Sequence, residues 1–196
     1  MEKRDCLDNS WQKTLEKILN QNINLFPIPN KSKNIQSWLD QLKVDLFVLS
    51  GGNNIGSEPD RDYLEKIIIN YSIAFKIPLL AVCRGMQYLH SSQGGKLVNA
   101  IDHINVNHKV NIIDNQNQEK TFLVNSFHNF SIKEINNNKF KAIAFSEEGN
   151  IEAMVHNEYP WLAIMWHPER EFENNSLSIN FLKHNLELLL KKWKKN

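Results

Sequence analysis

Apolar residues follow a helical repeat in some stretches of the chain and form short continuous runs in others. Residues 8–19 are predicted to form a helix because Trp11, Leu15 and Ile18 fall on one face. Helices are also predicted at residues 35–42, 61–76, 84–92 and 177–192. Short apolar runs predict strands at residues 23–28, 45–49, 78–82 and 161–166. Strands that alternate with helices indicate an α/β fold with a parallel sheet.

The pattern changes after Gly95, where short strands separated by polar turns are predicted. These strands are at residues 96–98, 108–113 and 121–124, followed by a hairpin of residues 141–145 and 151–156. We expect antiparallel pairing here, since short connections join antiparallel neighbours. No internal repeat or long linker divides the chain, so residues 1–196 are expected to form a single domain.

Composition and charge narrow the classes of partner and compartment. Lys and Arg total 23 against 22 acidic residues, and this net charge of +1 favours neither nucleic acid nor a membrane as partner. No run of 18 apolar residues and no signal-peptide core is present, so we expect a cytoplasmic protein. Two cysteines, Cys6 and Cys83, are too few for a disulfide framework and are expected to be reduced.

Cys83 is the candidate nucleophile. It ends the predicted strand at residues 78–82, and Gly85 and a helical pattern follow it. A side chain on such a sharp strand-to-helix turn stands clear of the sheet, where a substrate can reach it. The helix N-terminus favours negative charge and would support a thiolate. Most lone cysteines are small buried hydrophobes, but this context favours a nucleophile.

His167 and Glu169 are the candidate base and orienting group. They follow the apolar run of residues 161–166. A histidine can exchange protons with a thiol and a leaving group, and a carboxylate can fix the orientation of the ring. Pro168 stiffens the link between them. Taken singly, His167 could be a strand-end histidine and Glu169 a surface acid, but the pair favours a Cys–His–Glu triad.

A metal site is the alternative chemistry suggested by Asp102, His103 and His108. A fourth ligand is lacking, so a solvated loop is the better interpretation. We therefore expect neither a metal nor a cofactor.

Three separated motifs resemble the class I glutamine amidotransferase superfamily. Residues 81–87 (AVCRGMQ) resemble its nucleophile elbow, residues 165–169 (MWHPE) its histidine–glutamate motif, and residues 49–53 (LSGGN) its oxyanion-strand loop. Arg84 after the cysteine is typical of the branch that hydrolyses γ-glutamyl bonds. Residues 125–129, 149–153 and 166–171 further resemble a short subgroup that hydrolyses γ-glutamyl-CDP-amidate in capsule phosphoramidate synthesis.

The resemblance implies a flavodoxin-like fold. Its central, mostly parallel sheet is flanked by helices, and a small antiparallel sheet accompanies it. Relatives begin with a strand ahead of the residues that correspond to Met1, so this chain is expected to lack the usual first strand. Either the recorded start is too late, or a neighbouring segment fills the gap, since a missing internal strand would leave backbone groups unpaired.

The resemblance also implies a mechanism and a binding site. Cys83 attacks the γ-carbonyl of a glutamyl amide, His167 moves the protons and Glu169 orients His167. The backbone N–H groups of Arg84 and Gly52 (or Gly51) form the oxyanion hole. The residues expected to contact the γ-glutamyl group are Gln87, Asn125, Ser126, Phe127 and His128. For His128, capping of a turn is an equal alternative.

Three functions from different classes follow from these observations. The first is a stand-alone hydrolase of a small γ-glutamyl substrate. The second is a glutaminase subunit that passes ammonia to a synthetase partner, which the sequence allows but does not require. The third is a non-catalytic binding or regulatory module, against which the intact Cys83, His167 and Glu169 argue.

Overall fold

The computed structural model describes residues 4–32, 34–100, 104–113, 119–170 and 175–193. The helices are α1 (Ser10–Leu19), α2 (Ile35–Leu42), α3 (Pro59–Phe75), α4 (Arg84–Ser92) and α5 (Asn175–Trp193). The strands are β1 (Phe47–Leu49), β2 (Leu79–Val82), β3 (Val98–Asn99), β4 (Ile104–Ile113), β5 (Glu119–Phe127), β6 (Phe130–Ser131), β7 (Phe140–Ser146), β8 (Ile151–His156) and β9 (Trp161–Ile164).

The main sheet combines a parallel and an antiparallel part. Its strands lie in the order β1-β2-β9-β8-β7-β4-β5. Strands β1, β2 and β9 are parallel, whereas β8, β7, β4 and β5 join by antiparallel pairs. Strands β3 and β6 form a separate small antiparallel pair. The expected α/β fold is confirmed. Antiparallel pairs, however, make up a larger part of this sheet than we expected for a mostly parallel sheet.

Two apolar layers cover the parallel strands, one on each face. Leu79 and Ala81 of β2 face a layer formed mainly with α2, α3 and α4. Leu80 and Val82 face the opposite layer, which contains α1 and α5. A strand covered on both faces needs a continuous apolar run rather than an alternating one. This explains why residues 79–82 are all buried.

Most predicted elements occur in the structure, but the strand predicted at residues 23–28 is wrong. These residues are irregular. Pro27 and Pro29 lack the N–H groups that a ladder requires. The apolar side chains of Ile23 and Leu25 instead pack against the layer around α1 and α5. The apolar character of this segment therefore reflects burial rather than strand pairing.

The outer edge of β1 is the incomplete part of the sheet. Among the described strands β1 pairs only with β2, and residues 4–9 contain no strand ahead of α1. A cavity of about 860 Å³ lies beside this edge, between residues 21–30 and residues 42–53.

A membrane-crossing helix is not found in the described ranges, where none of the helices is both long enough and apolar enough.

Candidate active site

Cys83 occupies a strained turn between β2 and α4. Its φ is 51° and its ψ is −109°, a conformation that non-glycine residues rarely adopt. Such strain costs about 1–3 kcal/mol and persists only where the surroundings enforce it. The N–H of Cys83 donates to the Ile164 carbonyl at 2.8 Å, and its carbonyl accepts from the Gln87 N–H at 3.0 Å. The strand ladder and the helix thus hold the turn from both sides.

Gly85 allows α4 to begin close to β1. A methyl group added at this glycine would overlap the backbone carbonyl of Leu49. Backbone cannot move aside as a flexible side chain can, so no larger residue fits without shifting the elbow. Close packing against the backbone of β1 therefore explains why the predicted elbow motif has a glycine at this position.

The parallel pairing of β2 with β9 brings Cys83 and His167 together. Val82 pairs with Ile164, so the two segments leave the same edge of the sheet side by side. The Nδ1 of His167 lies 2.7 Å from Oε1 of Glu169. All three side chains are buried. The structure therefore assembles the three residues that the sequence analysis proposed as a triad.

The environment of His167 favours a charged imidazole. Burial by itself lowers the pKa of His167, but hydrogen bonds to Cys83 and Glu169 and the charges of both raise it to about 9. The Nδ1 side is used by Glu169, which directs the other side of the ring toward the sulfur. The arrangement places an imidazolium beside the sulfur, where its charge can stabilise a thiolate.

The loop after β1 packs directly against the imidazole. A methyl group added at Gly51 would overlap Cε1 of His167. Gly52 is the next residue of this loop, and Arg84 is the first residue of α4. The two residues expected to donate to an oxyanion therefore border the Cys83–His167 pair from different elements.

A buried charge network connects these two oxyanion candidates through α3. The guanidinium of Arg84 forms ion pairs with Glu65 and Asp62. The other oxygen of Glu65 accepts from Nε of Arg61 at 2.9 Å. Arg61 also donates to the Ser50 carbonyl at 2.6 Å, immediately before the two glycines. Sequence reasoning missed this network, although the i, i+4 spacing of Arg61 and Glu65 on a helix was an available signal.

Asn125 was expected to contact substrate, but its side chain holds His167. Its Oδ1 accepts from the His167 N–H at 2.8 Å, and its Nδ2 donates to the His167 carbonyl at 2.8 Å. This positioning role for the side chain was not predicted. The expected contact of the backbone at Asn125 and Ser126 with substrate stays a prediction.

Phe127 and Arg170 cover the outer side of His167. The ring of Phe127 meets the imidazole edge-to-face with centroids 5.7 Å apart, and the Arg170 guanidinium stacks 4.2 Å above the Phe127 ring. Arg170 therefore steadies this side of the site. Glu171 lies outside the described residues, as do Asp102 and His103.

Gln87 and His128 share one backbone partner. Nε2 of Gln87 donates to the Phe130 carbonyl at 3.0 Å, and Nδ1 of His128 lies 2.9 Å from the same oxygen. Both side chains are buried. The large cavity beside β1 reaches residues 50–53 but is not lined by Cys83 or His167. The predicted substrate contacts of Gln87 and His128 stay predictions.

Comparison with known proteins shows the family to which the chain belongs. The Peptidase C26 family model matches residues 2–169. A γ-glutamyl-CDP-amidate hydrolase from Campylobacter jejuni is 33% identical over 184 residues, covering 91% of this chain and 87% of the relative. A γ-glutamyl-γ-aminobutyrate hydrolase from Escherichia coli O157:H7 is 26% identical over 152 residues, covering 65% and 59%.

One solved structure supports the fold alone. It is a protein of Thermoplasma acidophilum that is assigned provisionally as one subunit of a GMP synthase. Its TM-score is 0.73 at 23% identity, with 95% of this chain and 89% of that chain covered. The resemblance to the class I glutamine amidotransferase superfamily is confirmed, whereas the single-domain organisation stays a prediction. The chain belongs to the Peptidase C26 family and is a cysteine-dependent hydrolase.

Proposed function

We propose that the protein hydrolyses a γ-glutamyl amide through a glutamyl thioester on Cys83. The observation that carries this proposal is the arrangement of Cys83, His167 and Glu169 at the ends of two paired parallel strands. The pKa of His167, raised to about 9 by Cys83 and Glu169 against the effect of burial, supports the charged pair.

The reaction proceeds in two steps. The Cys83 thiolate attacks the γ-carbonyl carbon, and the oxyanion that forms accepts from the backbone N–H groups of Arg84 and Gly52. The His167 imidazolium then gives its proton to the leaving nitrogen, and the bond between that nitrogen and the γ-carbonyl carbon breaks. In the second step His167 takes a proton from water, which attacks the thioester and releases glutamate. One oxyanion donor contributes roughly 10²–10³ in kcat.

The γ-glutamyl group needs partners for its α-carboxylate and α-ammonium. Because the contacts of Gln87 use its amide nitrogen, the amide oxygen is the atom that faces the α-ammonium. The backbone at Asn125, Ser126 and Phe127 binds the carboxylate side of the zwitterion, close to the imidazole that Phe127 contacts.

The leaving group that we propose is a cytidine diphosphate amidate. The relative from Campylobacter jejuni that carries this activity in its name matches 91% of this chain, which supports this choice over γ-glutamyl-γ-aminobutyrate. The reaction would then serve capsule phosphoramidate synthesis in the cytoplasm, where the Cys83 thiol stays reduced. Loop residues 53–59, at the outer side of the oxyanion loop, contact the nucleotide.

The test compares release of glutamate from three substrates by the wild-type protein, Cys83→Ser and Cys6→Ser. Cys6 is exposed and serves as the matched cysteine control. We expect rapid release from γ-glutamyl-CDP-amidate, slower release from γ-glutamyl-γ-aminobutyrate and glutamine, and loss of all activity only in Cys83→Ser. A folded wild-type protein that releases no glutamate from any of them contradicts the proposal.

A glutaminase subunit is the second candidate, supported by the 28% identity over 151 residues to a glutamine-hydrolysing GMP synthase from Brachyspira hyodysenteriae. It predicts preference for glutamine and a strong increase in ammonia release when a synthetase is added. Preference for the nucleotide amidate without any partner rejects it.

A further inference from the structure

A second polar cluster is buried in the antiparallel part of the sheet. It consists of His108 on β4, His128 just after β5, and Glu152 on β8. One nitrogen or carboxylate oxygen from each side chain lies within 4.8 Å of the others. Three separate segments therefore direct ligand-type atoms to one point.

Glu152 is the member of this cluster that requires explanation. It is 1% exposed, and neither carboxylate oxygen accepts a hydrogen bond within the described ranges. Nε2 of His108 lies 3.8 Å from its Oε2, beyond hydrogen-bonding distance. A buried carboxylate in such surroundings needs a cation or a strong donor beside it.

His128 is oriented as a metal-binding histidine commonly is. Its Nδ1 lies 2.9 Å from the Phe130 carbonyl, and a carbonyl can only accept, so Nδ1 carries the hydrogen. In the neutral ring Nε2 then carries the lone pair. Metal-ligating histidines usually donate their other ring N–H to a carbonyl or carboxylate, because this fixes the tautomer and the ring orientation.

We propose that His108, His128 and Glu152 bind one divalent transition-metal cation of the zinc class. Two imidazoles and one carboxylate form a ligand set that zinc uses, with a water in the fourth position. Tetrahedral zinc with bonds of about 2.1 Å places ligand atoms roughly 3.4 Å apart. The 3.8 Å between His108 and Glu152 would have to contract by about 0.4 Å, and the other separations, which are within 4.8 Å, by at most about 1.4 Å. The His108 side chain is 15% exposed, and both of its ring nitrogens are buried.

The ion would act as a structural link. It joins β4 and β8 to the end of β5, and β5 carries Asn125, which holds His167. The sequence analysis expected no metal because it considered only the neighbouring residues 102–108. His128 and Glu152 are distant in sequence and meet His108 only after the hairpins have paired.

The test is a titration of the metal-free protein with Co²⁺ and Zn²⁺ in a Cys83→Ala background. This background is needed because Cys83 and His167 are themselves zinc ligands by type. We expect one equivalent of Co²⁺ to bind, with the visible bands of a tetrahedral site and no thiolate band. Glu152→Gln in the same background should weaken binding at least about a hundredfold, since loss of even an outer-sphere contact costs 10–100-fold. The control is His184→Gln, which removes an exposed histidine of α5 and should change nothing.

Two results overturn the proposal. One is the absence of stoichiometric binding to the folded Cys83→Ala protein at micromolar metal. The other is equal affinity in the Glu152→Gln and His184→Gln variants. If circular dichroism shows that Glu152→Gln does not fold, His108→Asn replaces it with the same two outcomes. Because binding is read by absorption and by a metal-dependent rise in Tm, the result does not depend on the proposed reaction.

Discussion

The side chain of Asn125 holds both backbone polar groups of His167. It accepts from the N–H and donates to the carbonyl, each at 2.8 Å, and both residues are buried. An amide side chain carries its donor and its acceptor on separate atoms, so it can bind both groups at once. The position of the imidazole at the end of β9 therefore depends on a residue of β5, two elements that are not neighbours in the sheet.

Replacing Asn125 should lower activity, although this residue is distant in sequence from Cys83, His167 and Glu169. Asn125→Ala leaves a buried N–H and carbonyl without partners, which costs roughly 1–3 kcal/mol of stability. A displacement of His167 by about 1 Å is expected to reduce kcat around 10²-fold. Denaturant unfolding and kcat on γ-glutamyl-CDP-amidate measure the two effects.

A surface asparagine provides the control for that experiment. Asn111 on β4 accepts from Thr121 at the exposed side of the same sheet. Asn111→Ala should leave kcat unchanged and shift stability by less than about 0.5 kcal/mol. If Asn125→Ala behaves like Asn111→Ala in kcat, Asn125 does not position His167.

Glu65 should matter for catalysis although it lies on α3. It joins Arg84 at the start of α4 to Arg61, which holds the Ser50 carbonyl before Gly51. Glu65→Gln keeps the shape of the side chain but removes its charge. The start of α4 and the loop after β1, which carry the proposed oxyanion donors, then lose an ionic contact that holds them in place. We expect kcat to fall by about 10–10²-fold with KM nearly unchanged, because the oxyanion forms only in the transition state.

Asp60→Asn on the same helix is the matched control for Glu65→Gln. Its only described ion pair is with Lys31, and both side chains are largely exposed. Exposed pairs contribute little, so kcat should not change. Equal kcat values for wild type and Glu65→Gln would show that the network has no part in the reaction.

The pH dependence of kcat/KM should follow the protonation of His167. With the pKa of His167 raised to about 9, activity is expected to fall as pH rises through that value, because the acid that protonates the leaving group is lost. Glu169→Gln removes one of the groups that raise this pKa, so its alkaline limb should move to lower pH. If the alkaline limb of Glu169→Gln lies at the same pH as that of the wild type, the assignment of this limb to His167 is wrong.

The raised pKa of His167 also makes the free energy of unfolding depend on pH. The pKa of His167 in the folded state, about 9, lies above the ordinary value of 6.5. Protonation therefore stabilises the fold fully below pH 6.5, and this contribution is lost as pH rises through 9. Urea unfolding of the wild type and of Glu169→Gln measures this effect across the range from below the ordinary pKa to above the raised one. The two free energies of unfolding should converge at the alkaline end.

Gly51 should not tolerate even the smallest side chain. A methyl group there overlaps Cε1 of His167, so Gly51→Ala must displace the imidazole or the loop. We expect at least about a 10²-fold loss of kcat with a cooperative unfolding transition retained. Gly94→Ala tests backbone strain alone, since its φ is +89° but no atom lies near the added methyl. It should lose stability and keep kcat; equal activity in both variants would argue against contact with His167.

The parts of the site that follow from local sequence were predicted, and the parts that depend on tertiary pairing were not. Cys83 and the His167–Glu169 pair each stand at the end of an apolar strand, and parallel strands bring their carboxyl ends to one edge. The roles of Glu65 and of the Asn125 side chain depend on partners many positions away, which no local pattern indicates.

The incorrect strand at residues 23–28 has the same origin. Its apolar residues predict burial, but a strand also requires a neighbour with free backbone groups. The outer edge of β1 borders a cavity, and residues 23–28 do not pair with it. The alternation of Ile23 and Leu25 therefore serves packing alone.

Trapping the covalent intermediate tests the central claim most directly. Wild-type protein is mixed with γ-glutamyl-CDP-amidate, quenched with acid within the first turnovers, digested and analysed by mass spectrometry. We predict that the peptide containing Cys83 gains the mass of one glutamyl group, and that Cys83→Ser and the Cys6 peptide do not. Release of glutamate at full rate by a folded Cys83→Ser protein, or a glutamyl group on any other residue, would contradict the account.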